Sequence, residues 1–141
     1  MKIEDIMEET EAALQIDETR LDKESLETPK IYGRLLRLRT QEAYTLMKLK
    51  WQLKQLYQDK RDYYLGRASP EVYKAKPFDL KILKSEVDTY VNADEEIGDV
   101  SLKIEMQQEK VKYLEDALKQ VANRGFQIKN AIDYQRMMNG G

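Results

Sequence analysis

The chain of 141 residues contains neither cysteine nor histidine. Disulfides, thiol chemistry, imidazole catalysis and the usual zinc sites are thereby excluded, and no cofactor is expected. Carboxylates, lysines and tyrosines remain as the candidate catalytic groups. Phosphate-binding loops of the G-x-x-x-x-G-K-[ST] type are absent, which argues against ATP-driven work and against an enzyme. No apolar run approaches the roughly 18 residues of a membrane span, and the acidic N-terminus is unlike a signal peptide. Proline occurs 3 times and glycine 6 times. That scarcity, with 35% charged residues and a mean hydropathy of -0.75, favours long amphipathic helices over a compact globule. The expected fold class is all-α or mainly α, and a reducing compartment is the default.

A net charge of -2 conceals strong segregation. Residues 1–29 hold 3 basic and 10 acidic side chains, net -7. Residues 30–84 hold 14 basic and 5 acidic, net +9, and residues 85–141 hold 7 basic and 11 acidic, net -4. The middle of an acidic protein is therefore a cationic block. Of the 12 aromatic residues, 8 fall inside that block, Trp51 among them.

Periodicity organises the chain. Ile3, Ile6, Met7, Ala13 and Leu14 recur at helical spacing, so residues 2–15 read as an acidic amphipathic helix with Thr10 on its apolar face. Asp17 or Thr19 would cap a second short helix through Leu26, which stops before Pro29. Pro29 then opens a long helix to Leu65, with Leu46, Leu49, Leu53 and Leu56 as its seam and Gly66 as its C-terminal stop. Residues 66–78 hold two prolines and read as a loop. Leu80, Leu83, Val87 and Val91 suggest another helix, while Val87, Thr89 and Val91 also alternate as a short strand would.

The last third carries a heptad pattern. Ile97, Ile104, Val111, Leu118 and Ile132 share one position, with Gly125 the misfit. Val100, Leu114, Val121 and Ile128 share its partner, interrupted by Gln107 and Gln135. Such a coiled-coil-like seam would run for roughly 55–60 Å at 1.5 Å per residue, with a break or kink at Asn123-Arg124-Gly125. It packs either within the chain, against the Leu46–Leu56 helix, or between chains. The expected oligomerisation residues are Ile104, Val111, Leu114, Leu118, Val121 and Ile128. Residues 1–84 thus read as a basic helical binding region and 85–141 as a helical oligomerisation region, together one structural unit.

Within the long helix Lys50, Lys54, Tyr57, Arg61 and Tyr64 form one stripe about a quarter turn from the leucine seam. With Lys60 and Arg67 they are the candidate single-stranded-DNA-binding residues. Cations neutralise phosphates whatever the sequence, and rings stack on unpaired bases for roughly 1–3 kcal/mol each. Tyr63 continues the seam and belongs to the core, whereas Trp51 lies away from both seam and stripe and has no assignment. The acidic clusters Asp94-Glu95-Glu96 and Glu8-Glu9-Thr10-Glu11 suit helix starts or solvated faces rather than a metal. The rival to nucleic-acid binding is a non-enzymatic helical scaffold or adaptor whose basic block meets an acidic protein partner.

The run Asp62-Tyr63-Tyr64-Leu65-Gly66-Arg67, preceded by Lys60 and Arg61, resembles the D-Y-Y-x-G-R motif of the UvsY-type recombination mediators of bacteriophages. Met1-Lys2-Ile3-Glu4-Asp5-Ile6 is similar to that family's M-R-L-E-D-L opening. Lys84-Ser85-Glu86 followed by Ala93-Asp94 resembles its K-S-E … A-D, and Arg124-Gly125-Phe126-Gln127-Ile128-Lys129 its R-G-F-x-I-K. The resemblance implies a protein of DNA recombination and repair in the cytoplasm of an infected bacterial host. It implies binding to single-stranded DNA and contact with the phage recombinase and the phage single-strand-binding protein. It further implies a ring-like homo-oligomer, a hexamer or heptamer, assembled through the C-terminal region. No membrane partner is expected, because the basic helix has no wide apolar face left once its leucine seam is buried. Lys60 matches a basic residue of the family's DNA-binding motif. Gln58 stands where the family has lysine and Arg61 where it is apolar, and the proline-bearing loop after Arg67 departs as well.

Overall fold

The computed structural model describes residues 1–140, all helical or irregular with no strand among them. Five helices follow in order: α1 (Ile3–Leu14), α2 (Leu21–Tyr64), α3 (Pro70–Ala75), α4 (Val87–Asn92) and α5 (Glu95–Met138). Two compact units result, residues 1–43 with 109–141, and residues 44–108. α2 and α5 each contribute to both units.

In the first unit α1 turns its apolar spacing inward. Ile6 and Thr10 are buried, and Glu4 and Asp5 in the first turn complement the helix dipole. Ile6 packs with Leu35 and Leu38 of α2 and with Leu114, Ala117 and Val121 of α5. Each fully buried aliphatic side chain contributes about 1.5–3 kcal/mol. Arg34 reaches Glu9 at 2.7 Å and Arg39 reaches Glu115 at 2.8 Å, so two cations of the basic block are matched by carboxylates from the acidic flanks.

The expected break before Pro29 is absent, since α2 carries that proline in its interior. A proline there forfeits one ladder hydrogen bond and crowds the preceding turn. The side chain of Arg124 meets this turn. Its Nη1 donates to the Glu24 carbonyl at 2.6 Å and to Thr28 Oγ1 at 2.7 Å. Its Nη2 donates to Glu24 Oε2 at 2.9 Å and to the Gln15 carbonyl at 3.3 Å.

Nor does α5 break at Asn123-Arg124-Gly125, for one helix runs from Glu95 to Met138. What changes there is the seam. Ile97, Ile104, Val111, Leu114, Val121 and Ile128 are buried as the heptad predicts, but Ala117 and Arg124 are buried in place of Leu118 and Gly125. Gly125 has no side chain to fill its position, and the neighbouring arginine fills the adjacent one because four acceptors await it. Leu118 is partly buried against the same core.

In the second unit Val87, Val91 and Ile97 form the core, with Leu53, Leu56, Tyr57, Tyr64, Leu65 and Ile82 packed against it. Val87–Asn92 is helix rather than strand. Leu80 and Leu83 precede that helix and stay exposed at 63% and 67%. The expected 66–78 loop contains α3, which Pro70 opens as its first residue with Ser69 at the N-cap.

Gly66 ends α2 as expected. Its φ is 78°, Arg67 N–H donates to the Asp62 carbonyl at 2.8 Å, and Gly66 N–H donates to the Tyr63 carbonyl at 3.2 Å. Those paired bonds define a Schellman motif. A Cβ at Gly66 would meet nothing within 4 Å, so the cost of a side chain is backbone strain alone. Gly66→Ala is expected to lower stability by about 1–2 kcal/mol, read as a shift in the urea midpoint at unchanged m-value.

Candidate nucleic-acid interface

The segment Lys60–Arg67 lies at the end of α2, where helical spacing aims Lys60, Tyr63 and Tyr64 toward the chain that returns through α3, α4 and the start of α5. Lys60 is only 8% exposed. Its Nζ lies 3.3 Å from Asp94 Oδ2 and 3.2 Å from Glu96 Oε1, and 5.6 Å from the Tyr63 ring centroid. Tyr64 donates its hydroxyl to Asp94 Oδ2 at 2.7 Å. Arg61 pairs with Asp88, to which Tyr57 also donates at 3.0 Å.

Asp94 has a second task. Its Oδ1 accepts the N–H groups of Glu96 at 2.9 Å and Ile97 at 3.4 Å, the bonds of an N-cap on α5. Burial by itself would raise the Asp94 pKa, but hydrogen bonds from Tyr64 and Lys60 outweigh it and hold the carboxyl below its ordinary value. Burial likewise opposes charge on Lys60, yet its bonds to Glu96 and Asp94 leave the ammonium pKa raised. Burial first, then the bond to Asp94, pushes the Tyr64 phenol up.

The rings complete the cluster. Tyr63 lies 4.9 Å from Tyr64, 5.4 Å from Tyr73 in a stacked arrangement and 5.6 Å from Phe78. Tyr64 also meets Phe78 at 4.9 Å and Tyr90 at 5.7 Å. The Tyr63 hydroxyl donates to the Lys76 carbonyl at 2.9 Å, and the Tyr73 hydroxyl to the Tyr63 carbonyl at 2.7 Å. A cavity of about 520 Å³ adjoins Tyr63, lined by as many carboxylates (Asp59, Asp62 and Glu96) as cations (Lys60, Arg67 and Lys76). It is thus no concentrated phosphate site.

The seven candidate residues therefore separate into two groups. Tyr57, Lys60, Arg61 and Tyr64 are tied to Asp88, Asp94 and Glu96, and Tyr64 is an internal ring rather than an open platform. Lys50, Lys54 and Arg67 are exposed and form no ion pair among the described residues. Asp88 and Asp94 were not candidate site residues, although they organise the motif. The acidic turn of the charge profile after residue 84 was the available signal. Of the six expected oligomerisation residues, Ile104, Val111, Leu114, Val121 and Ile128 are buried in the chain's own seam, with Leu114 and Val121 at 0% exposure, and Leu118 is partly buried against it. The large apolar side chains that α5 leaves exposed are Leu102, Met106, Phe126, Tyr134, Met137 and Met138. No helix among the described residues is long and apolar enough to cross a membrane, and no cluster of potential metal ligands occurs among them.

Comparison with known proteins agrees with this all-helical architecture. The chain is 26% identical over 133 residues to the recombination protein uvsY of Enterobacteria phage T4, covering 94% of each sequence. A crystal structure of the bacteriophage T4 recombination mediator protein UvsY superposes with a TM-score of 0.83, at 26% identity over 100% of this chain and 99% of that one. The same protein in another lattice gives 0.82 at 23% identity, over 98% of this chain and 99% of that one. The family model described as "Recombination, repair and ssDNA binding protein UvsY" matches residues 9–141. Over nearly its whole length, from the acidic first helix to the end of the seam, the chain belongs to the UvsY family.

Proposed function

We propose that this chain is a non-catalytic recombination mediator. It binds single-stranded DNA and promotes loading of the phage recombinase onto strands covered by single-strand-binding protein, in the cytoplasm of the infected host. The observation that carries the reading is the set of exposed cations in residues 30–84 that no carboxylate matches. Arg37, Lys48, Lys50, Lys54 and Arg67 are exposed and make no ion pair among the described residues. They are free to displace counterions from a polyphosphate strand.

A ring-like homo-oligomer multiplies these weak sites. Once one subunit holds the strand, its neighbours meet it at high effective concentration. Because the seam residues of α5 are already buried within one chain, the exposed apolar residues of that helix supply the subunit contacts. A strand held at many points in this way is withdrawn from the single-strand-binding protein and offered to the recombinase.

The test is a filament-assembly assay on oligo-dT covered by the phage single-strand-binding protein, with a salt series for direct binding. The chain is expected to shorten the lag of recombinase assembly. Direct affinity should fall with log salt at a slope of about -0.7 per phosphate contact. No single-strand affinity in dilute buffer, or an unchanged lag, would sink the reading and favour an adaptor for an acidic protein.

A further inference from the structure

Ala43 through Gln58 contains no carboxylate at all, in a chain holding 26 of them. The same stretch of α2 carries Lys48, Lys50 and Lys54, all exposed. It also presents three large apolar side chains to water: Tyr44 at 59%, Met47 at 61% and Trp51 at 60% exposure. At 100° per residue Tyr44, Met47, Lys48 and Lys54 surround Trp51 on the helix face opposite the half-buried leucine seam, and Lys50 lies about a quarter turn to one side. Lys48 and Lys54 sit three residues before and after Trp51, and Met47 four before it, positions that neighbour it on the helix surface. Tyr44 and Trp51 are about 10 Å apart along the axis at 1.5 Å per residue.

We propose that this outward face of α2 is a stacking track for unpaired bases, with Trp51 as its central platform and Lys48 and Lys54 holding the phosphates on either side. The proposal rests on the single-strand-binding reading above and assigns that strand a path. Tyr57 and Tyr64, the rings nearest the family motif, are committed to Asp88 and Asp94. Trp51 has no such engagement among the described residues. A bare indole beside lysines suits a polymer with both π-faces and negative charge. Duplex bases are already stacked on one another and gain nothing from it. An isologous contact between two copies of this face would set lysines against lysines, a repulsive arrangement.

Trp51 is the sole tryptophan, so the full-length protein carries its own reporter. Labelled oligo-dT is titrated while anisotropy follows binding and indole fluorescence follows the platform. The expected result is quenching of Trp51 that saturates together with the anisotropy. Trp51→Ala should weaken binding by roughly 5- to 100-fold, one stacked base at about 1.4 kcal/mol per decade. Trp51→Phe should stay within a few-fold of wild type, and circular dichroism should report unchanged helix in both. If Trp51→Ala binds at full affinity and wild-type indole emission stays constant through the anisotropy rise, the track is wrong while the mediator reading stands. If wild type gives no anisotropy change, the mediator reading falls first and takes the track with it. Two other outcomes also overturn the track. One is indole emission that blue-shifts with protein concentration alone, which assigns the face to a second copy. The other is a response to anionic vesicles but not to oligo-dT.

Discussion

Arg124→Ala is expected to lower the stability of the folded chain by about 3–5 kcal/mol, the cost of removing one partner from a buried ion pair. The side chain is 1% exposed and links three stretches of the first unit. It reaches Gln15 just after α1, Glu24 and Thr28 in the first turns of α2, and belongs itself to α5. Its removal leaves the Glu24 carboxylate, with 19% side-chain exposure, facing a cavity. The Glu24 carbonyl on the proline-bearing turn loses a charged donor as well. Urea unfolding followed by circular dichroism measures the change. A double variant, Arg124→Met with Glu24→Gln, should recover part of the loss because no charge is then stranded. A loss below about 1 kcal/mol for the single variant would mean that the helix ends relax and admit water, and that the arginine does not hold them.

Asp94→Ala should cost a similar amount, about 3–5 kcal/mol, because it combines a broken buried pair with a lost helix cap. Asp94→Asn keeps an oxygen for the Glu96 and Ile97 amides but not the charge opposite Lys60. Its cost should be smaller, near 1–2 kcal/mol, since Glu96 still meets the ammonium at 3.2 Å. Thermal midpoints in low salt separate the two variants.

Linkage supplies the pH dependence of the same cluster. The Asp94 pKa is lowered on folding, so its contribution is complete above the unfolded carboxylate value of about 3.9 and is lost as pH falls through the folded value. Lys60 and Tyr64 are both raised. Their contributions are complete below their unfolded values, about 10.4 and 10, and are lost as pH rises through the folded ones. Wild type should therefore hold a plateau at neutral pH and weaken at both extremes. Asp94→Asn should flatten the acid limb. An acid limb of equal steepness in that variant would assign the transition to other carboxylates.

The parts of this architecture legible in the residues are those set by local spacing. The heptad from Ile97 to Val121 repeats often enough to name its buried face, and Gly66 stands where only a left-handed residue closes a helix. Pro29 misleads because the bias of a pre-proline residue against helix is only a tendency, and α2, begun at Leu21, carries the proline in its interior. Arg124 misleads because a charge on a core stripe reads as an interruption until its distant acceptors are known. The binding motif shows the limit most clearly. Lys60, Arg61 and Tyr64 have the composition of a DNA contact, but whether a cation is open depends on whether a carboxylate such as Asp94 folds back onto it. Conversely Trp51 looked unassignable because it belongs to neither interior seam nor motif, and exposure is what gives it a role.

The first unit is discontinuous in sequence, with residues 1–43 completed only by residues 109–141. On the ribosome, Leu38 must wait for its α5 core partners Leu114, Ala117 and Val121, an interval of roughly 4–17 s to the last of them at 5–20 residues per second. The second unit is continuous in sequence and has no such delay. Nascent chains thus pass through a stage in which α1 and the start of α2 have their apolar stripes made but unmatched. Neighbouring nascent chains on one message are the nearest surfaces on which those stripes can settle, so the spacing of ribosomes bears on the yield of correctly folded subunits.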